Sequence, residues 1–262
     1  MSGLSDSTIV AEHQPDVAPI SDAEWAMRRD LAACYRLIAM HGWDDLIANH
    51  ITARVPGEDG AFLINPFGLL FEEVTASNLV KIGSDGELLS PSPHGVNRTG
   101  FVIHGAIHEA RPDANCVIHL HTPDGVAVSM TETSLLPLNQ TAMAIHQDIA
   151  LHDYEGVALD MAERERLASD LGAKHLMLLR NHGTLALGAT VGEAFSRTYF
   201  LEWACTVQVK ALSTGQPIHH AAPNVITSVE DYMTTESMAQ YAALAWPALL
   251  RKLEREQPDY AD

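Results

Sequence analysis

The sequence has no pair of cysteines at disulfide or redox spacing. Its three cysteines, Cys34, Cys116 and Cys205, are odd in number and none belongs to a Cys-x-x-Cys pair. That excludes a disulfide framework and points to a reduced, cytoplasmic setting. Basic residues are scarce: 16 Lys and Arg stand against 34 Asp and Glu, a formal charge of −18. No net basic field exists to displace counterions from a phosphate backbone, so a nucleic-acid partner is not expected. A local basic patch for a small anionic substrate stays open. No run of 18 apolar residues occurs, so no membrane span is expected. Residues 1–20 lack the basic and apolar regions of a secretory signal and read as a polar, flexible tail.

What is present suits one large core. The chain has 262 residues, 47% of them hydrophobic, enough to bury a single α/β core. No internal repeat or long linker divides it. The expected organisation is a tail over 1–20, a domain over 21–215, and a loop and helical extension over 216–262.

The pattern of elements follows from local signals. Ser21-Asp22-Ala23-Glu24 forms a capping box and opens a helix to about residue 40. Strands over 44–55 and 61–65 flank a Pro-Gly turn, and short strands over 79–82 and 87–89 flank Ser84-Asp85-Gly86. Helices are expected over 99–110, 124–131, 140–145, 161–171 and 192–211, and an extended segment over 134–138. The segment through 152–156 reads as irregular. A strand over 176–179 is expected to continue through 184–187. A loop over 216–225 precedes a final helix over 229–256, kinked or divided at Pro247. Antiparallel hairpins with flanking helices imply one layered α/β domain around a central, mostly antiparallel sheet.

The chemistry centres on residues 114–122. They read as a short buried strand between Arg111-Pro112-Asp113 and Thr122-Pro123-Asp124-Gly125. Side chains alternate across a strand, so His119 and His121 share a face with Val117, while Cys116, Ile118 and Leu120 point the other way. With 14 histidines in the chain, one such pair can be incidental. A third histidine changes the weighing. The apolar strand over 174–183 ends at His182 and Gly183. Two strands that each deliver histidine at one end can converge on a three-His site with an open position, the arrangement of a catalytic rather than a structural metal. His104 and His108 stand at i, i+4 on one helix face, suited to packing, second-sphere bonding or metal. His219 and His220 are adjacent and diverge, as loop residues do.

These motifs carry a resemblance. Ala48-Asn49-His50-Ile51, Ile64-Asn65-Pro66-Phe67-Gly68, His104-Gly105-Ala106-Ile107-His108, Arg111-Pro112-Asp113-Ala114-Asn115 with His119-Leu120-His121, and Arg180-Asn181-His182-Gly183 resemble the class II aldolase/adducin family over roughly 22–215. Within it, His119-Leu120-His121-Thr122-Pro123 and His152-Asp153-Tyr154-Glu155-Gly156 resemble the adducin-head-like branch. The resemblance implies a three-layer α/β/α fold and a homotetramer with sites at subunit interfaces. It implies a divalent metal on His119, His121 and His182, with zinc first and iron, manganese or cobalt as alternatives. It places His104 in the second sphere.

The chain also departs from the sugar-phosphate aldolases. Where they carry a proton-transfer carboxylate, this chain has Gly100; Glu73 and Glu109, with Glu72, are the nearest replacements. Their phosphate-binding Thr-Gly and Ser-Ser positions fall at Phe67-Gly68 and near Arg98-Thr99. The resemblance thus assigns Asn49, Gly68, Arg98 and Thr99 to substrate binding. It implies a metal-dependent aldolase-like lyase acting on a small carbonyl substrate through a metal-stabilised enolate, rather than on a classical sugar phosphate. Two alternatives stand beside it: an iron-dependent oxygenase on the same histidines, and a non-catalytic adducin-like oligomeric module. Burying three converging imidazoles without a partner would cost stability, which favours an enzyme.

Overall fold

The first helix begins where its cap predicts. The Ser21 side chain accepts from the Glu24 amide at 3.1 Å and satisfies one of the free N–H groups of the first turn. The computed structural model describes residues 8–9, 19–156 and 161–262; the tail expected over 1–20 lies almost wholly outside the described residues. The elements run β1 (Thr8–Ile9), α1 (Asp22–Met40), β2 (His50–Arg54), β3 (Ala61–Ile64), β4 (Val80–Gly83), β5 (Val96–Asn97), α2 (Arg98–Ala110), β6 (Cys116–Leu120), α3 (Pro123–Ser129), α4 (Gln140–Ile145), β7 (Ile149–His152), α5 (Glu163–Leu171), β8 (Leu176–Leu179), β9 (Gly183–Gly188), α6 (Val191–Ser213), α7 (Pro223–Tyr232) and α8 (Thr235–Glu256).

Seven strands form the central sheet in the order β4-β3-β2-β6-β9-β8-β7. Every neighbour pair is antiparallel except β7 with β8. Strand alternation divides the core into layers. Ile51, Ala53, Cys116, Ile118 and Leu120 pack with α1 residues such as Leu31 and Tyr35 and with Phe195 of α6. Leu176, Leu178 and Ala186 pack with Leu201 and Cys205 of α6. The opposite parity, Val117, Met177, Leu179, Leu185 and Leu187, packs with Ile103 and Ile107 of α2 and Leu167 and Leu171 of α5. The result is the expected three-layer α/β/α arrangement. Cys116 is buried on the face away from Val117, as its parity required. Trp246 and Leu253 of α8 join the α1 layer, so the C-terminal helix shares the main core.

Local patterning misplaced several elements. The strand over 176–179 does not continue through 184–187. The chain reverses at Asn181, whose φ is 58°, and β8 and β9 form an antiparallel pair. Asparagine tolerates this left-handed region better than most residues, so the turn carries no glycine at its bend. The segment ending at His152, read as irregular, is β7. It pairs in parallel with β8 through the α5 crossover, and such a non-local pairing leaves little trace in four residues. Residues 134–138 form no strand, and 87–89 contribute only an Ile82–Leu88 bridge among the described residues. The final helix is broken at Met233–Thr234, not at Pro247. Thr234 caps α8 by accepting from the Ser237 amide at 3.1 Å. Pro247 sits inside α8 without dividing it, next to the buried Trp246.

Candidate metal centre

The strand ends place three histidines together. His119 is the penultimate residue of β6, fully buried, and His121 follows just beyond the strand. His182 lies in the β8–β9 turn, where its amide donates to the Leu179 carbonyl at 3.1 Å. Gly183 makes the approach possible: a Cβ there would collide with the Leu120 carbonyl oxygen and come within 3.1 Å of His121 Cδ2. The glycine after His182 is therefore the condition for the turn to close on the end of β6.

The ligand atoms converge. His119 Nε2 lies 3.0 Å from His121 Nε2 and 3.3 Å from His182 Nε2. A tetrahedral zinc with N ligands at its usual bond length sets N···N separations of about 3.3 Å, so the spacing fits a bound ion. The outer partners fix which nitrogens are bare. His119 Nδ1 is 2.9 Å from the Thr184 carbonyl, and His121 Nδ1 is 3.1 Å from Asp45 Oδ2. Both partners only accept, so both Nδ1 atoms carry the proton and both Nε2 lone pairs face inward. Two bare lone pairs 3.0 Å apart repel each other unless a cation lies between them. Burial, followed by the neighbouring imidazoles, holds His119 well below the ordinary histidine pKa and lowers His182 to about 4. His119 and His182 are therefore neutral at pH 7. His121 retains 21% side-chain exposure, which leaves one side of the centre open.

A second group of histidines stands behind this one. On β2, His50 is the cross-strand partner of His119, and the two ring centroids are 5.1 Å apart. His50 Nδ1 lies 2.9 Å from His104 Nε2. Thr52 Oγ1 lies 2.7 Å from His104 Nδ1 and 2.8 Å from His108 Nε2. His108 Nδ1 ends the series 2.8 Å from the Ala114 carbonyl. His104 and His108 are thus joined to β2 through Thr52, and His104 meets His50, while its ring centroid stays 6.5 Å from that of His119.

The remaining sequence candidates fall in different places. Asn49 is 1% exposed, and neither of its side-chain polar atoms has a partner. A buried amide left this way is costly, and it stands immediately before β2. Asn49→Ala is expected to change folding stability by no more than about 1 kcal/mol. Asn65→Ala, which removes an Oδ1 lying 2.9 Å from the Tyr35 hydroxyl, is expected to cost about 1–3 kcal/mol. Urea unfolding of the two variants checks the contrast. Gly68 is exposed, with φ 101° and open space around its Cβ position. The side chains of Arg98 and Thr99 lie outside the described residues. Glu73 accepts from the Leu70 amide at 2.8 Å, and Glu109 accepts from Arg164 at 2.9 Å, so each carboxylate is engaged outside the triad. Sequence reasoning named no role for Asp45, His50 or Thr52. The one available signal was a histidine and a threonine at alternate positions of the short strand His50–Arg54.

Comparisons with known proteins agree with this architecture. The family model "Class II Aldolase and Adducin N-terminal domain" matches residues 29–209. An aldolase II superfamily protein from Pseudomonas syringae has a crystal structure that is 48% identical, with a TM-score of 0.87 over 93% of this chain and 98% of that one. L-fuculose 1-phosphate aldolase from Glaciozyma antarctica PI12 is 28% identical, with a TM-score of 0.80 over 95% and 96% of the two chains. Alpha-adducin of Mus musculus is 46% identical over 198 residues, which are 74% of this chain and 27% of adducin. Among the described residues no helix is long and apolar enough to cross a membrane. By sequence, by fold and by the family model that spans most of its length, the chain belongs to the class II aldolase and adducin family.

Proposed function

We propose that this protein is a metal-dependent, aldolase-like lyase acting on a small carbonyl substrate. The observation that carries the reading is the convergence of His119, His121 and His182, with the inward lone pairs of the first two fixed by the Thr184 carbonyl and Asp45. When bound, a divalent ion would polarise the substrate carbonyl and stabilise negative charge developing on its oxygen. The three histidines hold it as neutral ligands, and the orphaned Asn49 amide offers the substrate both a donor and an acceptor. Phe67 stands where the sugar-phosphate aldolases offer a hydroxyl, which favours a substrate without phosphate. Asn49, Gly68, Arg98 and Thr99 are assigned to that substrate. The same reading takes zinc as the resident metal, a cytoplasmic homotetramer as the working form, and no nucleic acid or membrane as partner. Its support is the family membership, the acidic balance and three buried free cysteines.

Elemental analysis of tag-free protein purified without added metal or chelator tests it. About one divalent metal per chain is expected in the wild type. His119→Ala and His182→Ala are each expected to lose it while circular dichroism shows the fold retained. Stoichiometric metal in both variants would remove the triad assignment.

A further inference from the structure

Hydrogen bonding between the second group of histidines can run in only one direction. The Ala114 carbonyl can only accept, so His108 Nδ1 carries a proton. Burial, reinforced by Arg54, lowers His108 to a pKa of about 3, so its ring is neutral and Nε2 is bare. Thr52 therefore donates its one hydroxyl hydrogen to His108 Nε2. Having spent that hydrogen, Thr52 Oγ1 accepts from its other neighbour, His104 Nδ1. His104 is fully buried and neutral as well, so its Nε2 accepts from His50 Nδ1. His50 is 2% exposed, and its Nδ1 is engaged with His104 while no carboxylate pairs with its ring among the described residues, so it takes the neutral form of a buried imidazole and its Nε2 is left as a lone pair.

The ring carrying this lone pair stands beside the triad. His50 pairs with His119 across the strands, and the two ring centroids are 5.1 Å apart. It also fills the space over Gly100: a Cβ at that position would come within 3.0 Å of His50 Cγ and 3.1 Å of Cδ2. A side chain on residue 100 would press on the His50 ring, which would have to give by a few tenths of an ångström.

We infer that His50 Nε2 is an obligate hydrogen-bond acceptor at the histidine triad, so that the site selects ligands carrying an O–H or N–H donor beside the carbonyl. The inference rests on the reading of the triad as a metal site for a carbonyl ligand. His104, Thr52 and His108 are positioning residues: they touch no ligand, and they set which nitrogen of His50 is bare. A ligand that offers only acceptor oxygens to His50 meets lone pair against lone pair.

The test reads the tautomers directly. Long-range proton–nitrogen spectra of 15N-histidine-labelled protein at pH 7.5 or so are expected to show His50, His104 and His108 all protonated on Nδ1 and bare on Nε2. Protonation of His50 on Nε2 would overturn the inference. Thr52→Val removes the hydroxyl at nearly constant shape, which frees His104 and His50 to reverse; His50 is then expected to gain the Nε2–H form, and Thr52→Ser is expected to restore the wild-type pattern. If Thr52→Val does not fold, the wild-type spectrum still decides. Binding is read with hydroxyacetone and methoxyacetone, which share a carbonyl and a neighbouring oxygen but differ in the donor hydrogen. Zinc-loaded wild type and Thr52→Ser are expected to prefer hydroxyacetone by roughly tenfold, with the preference lost in Thr52→Val. Equal binding by the wild type would overturn the selectivity. Wild-type protein that binds no metal would remove the proposed function while leaving the tautomers to be judged by the spectra alone.

Discussion

Acidification from pH 8 to pH 5 is expected to unfold the metal-free protein. Five histidines are held below the ordinary value of 6.5, each chiefly by burial: His50, His104 and His119 well below it, His108 at about 3 and His182 at about 4. The sign follows from linkage. As pH falls through 6.5, the unfolded chain takes up a proton at each of these histidines and the folded chain does not, so the unfolded state gains. The stability from this source is complete above pH 6.5 and is lost below it. At pH 5 each group costs about 2 kcal/mol, and the five together about 10 kcal/mol. Glu202 acts in the opposite direction. Burial raises it to about 7, so the folded state protonates first and regains about 2–3 kcal/mol. The net loss of about 8 kcal/mol is comparable to the whole stability of an ordinary domain. Urea midpoints of chelator-treated protein from pH 8 to pH 5 measure it. A flat profile would mean that the five rings are not buried neutral in solution.

The same clustering explains what could be read in the sequence and what could not. His119 and His121 were legible because strand alternation is local, and His182 because an apolar strand ended at His-Gly. The helix at Ser21 declared itself through its cap, and the mostly antiparallel sheet through its hairpins. The His50–His104–Thr52–His108 series was only half visible. The i, i+4 pair His104 and His108 showed on the helix, but their partners lie some 50 residues earlier, and only the β2–β6 register brings His50 to His119. Gly100 read as the loss of a carboxylate; in the fold it is the clearance that the His50 ring occupies. Asp45 reaches His121 from a loop with no periodic signature. The β8–β9 reversal and β7 were missed for a related reason. The first turns on a left-handed asparagine, and the second is defined by a parallel partner reached through a helix.

Glu202→Gln is expected to make the protein more stable at pH 8 and no more stable at pH 5. Glu202 lies on α6, 1% exposed. Its carboxylate accepts from the Thr122 hydroxyl and, at 2.6 Å, from Thr184. These two bonds do not repay its desolvation, and Asp124 adds repulsion, so the folded pKa stands at about 7 against an ordinary 4.5. Below pH 4.5 both states are protonated and nothing is lost. Between pH 4.5 and 7 the unfolded chain ionises while the folded chain resists, and stability falls by about 3 kcal/mol, a loss that persists above pH 7. Glutamine is neutral throughout and escapes this term. One hydrogen bond of reversed polarity to a threonine gives back about 1 kcal/mol. The expected gain at pH 8 is therefore about 2 kcal/mol, or roughly 4–8 °C in Tm for a chain of this size. Thermal melts of both proteins at pH 5 and pH 8 decide it; parallel shifts at the two values would show that Glu202 is not the titrating group. The position of Glu202 makes the cost intelligible. Thr122 follows His121, and the Thr184 carbonyl orients His119, so one carboxylate ties together the β6 and β9 ends that carry the triad. Zinc retention in Glu202→Gln, measured on the same samples, separates the two roles. Weaker retention together with the higher Tm would show that the ionised carboxylate holds the centre in place at the expense of the fold.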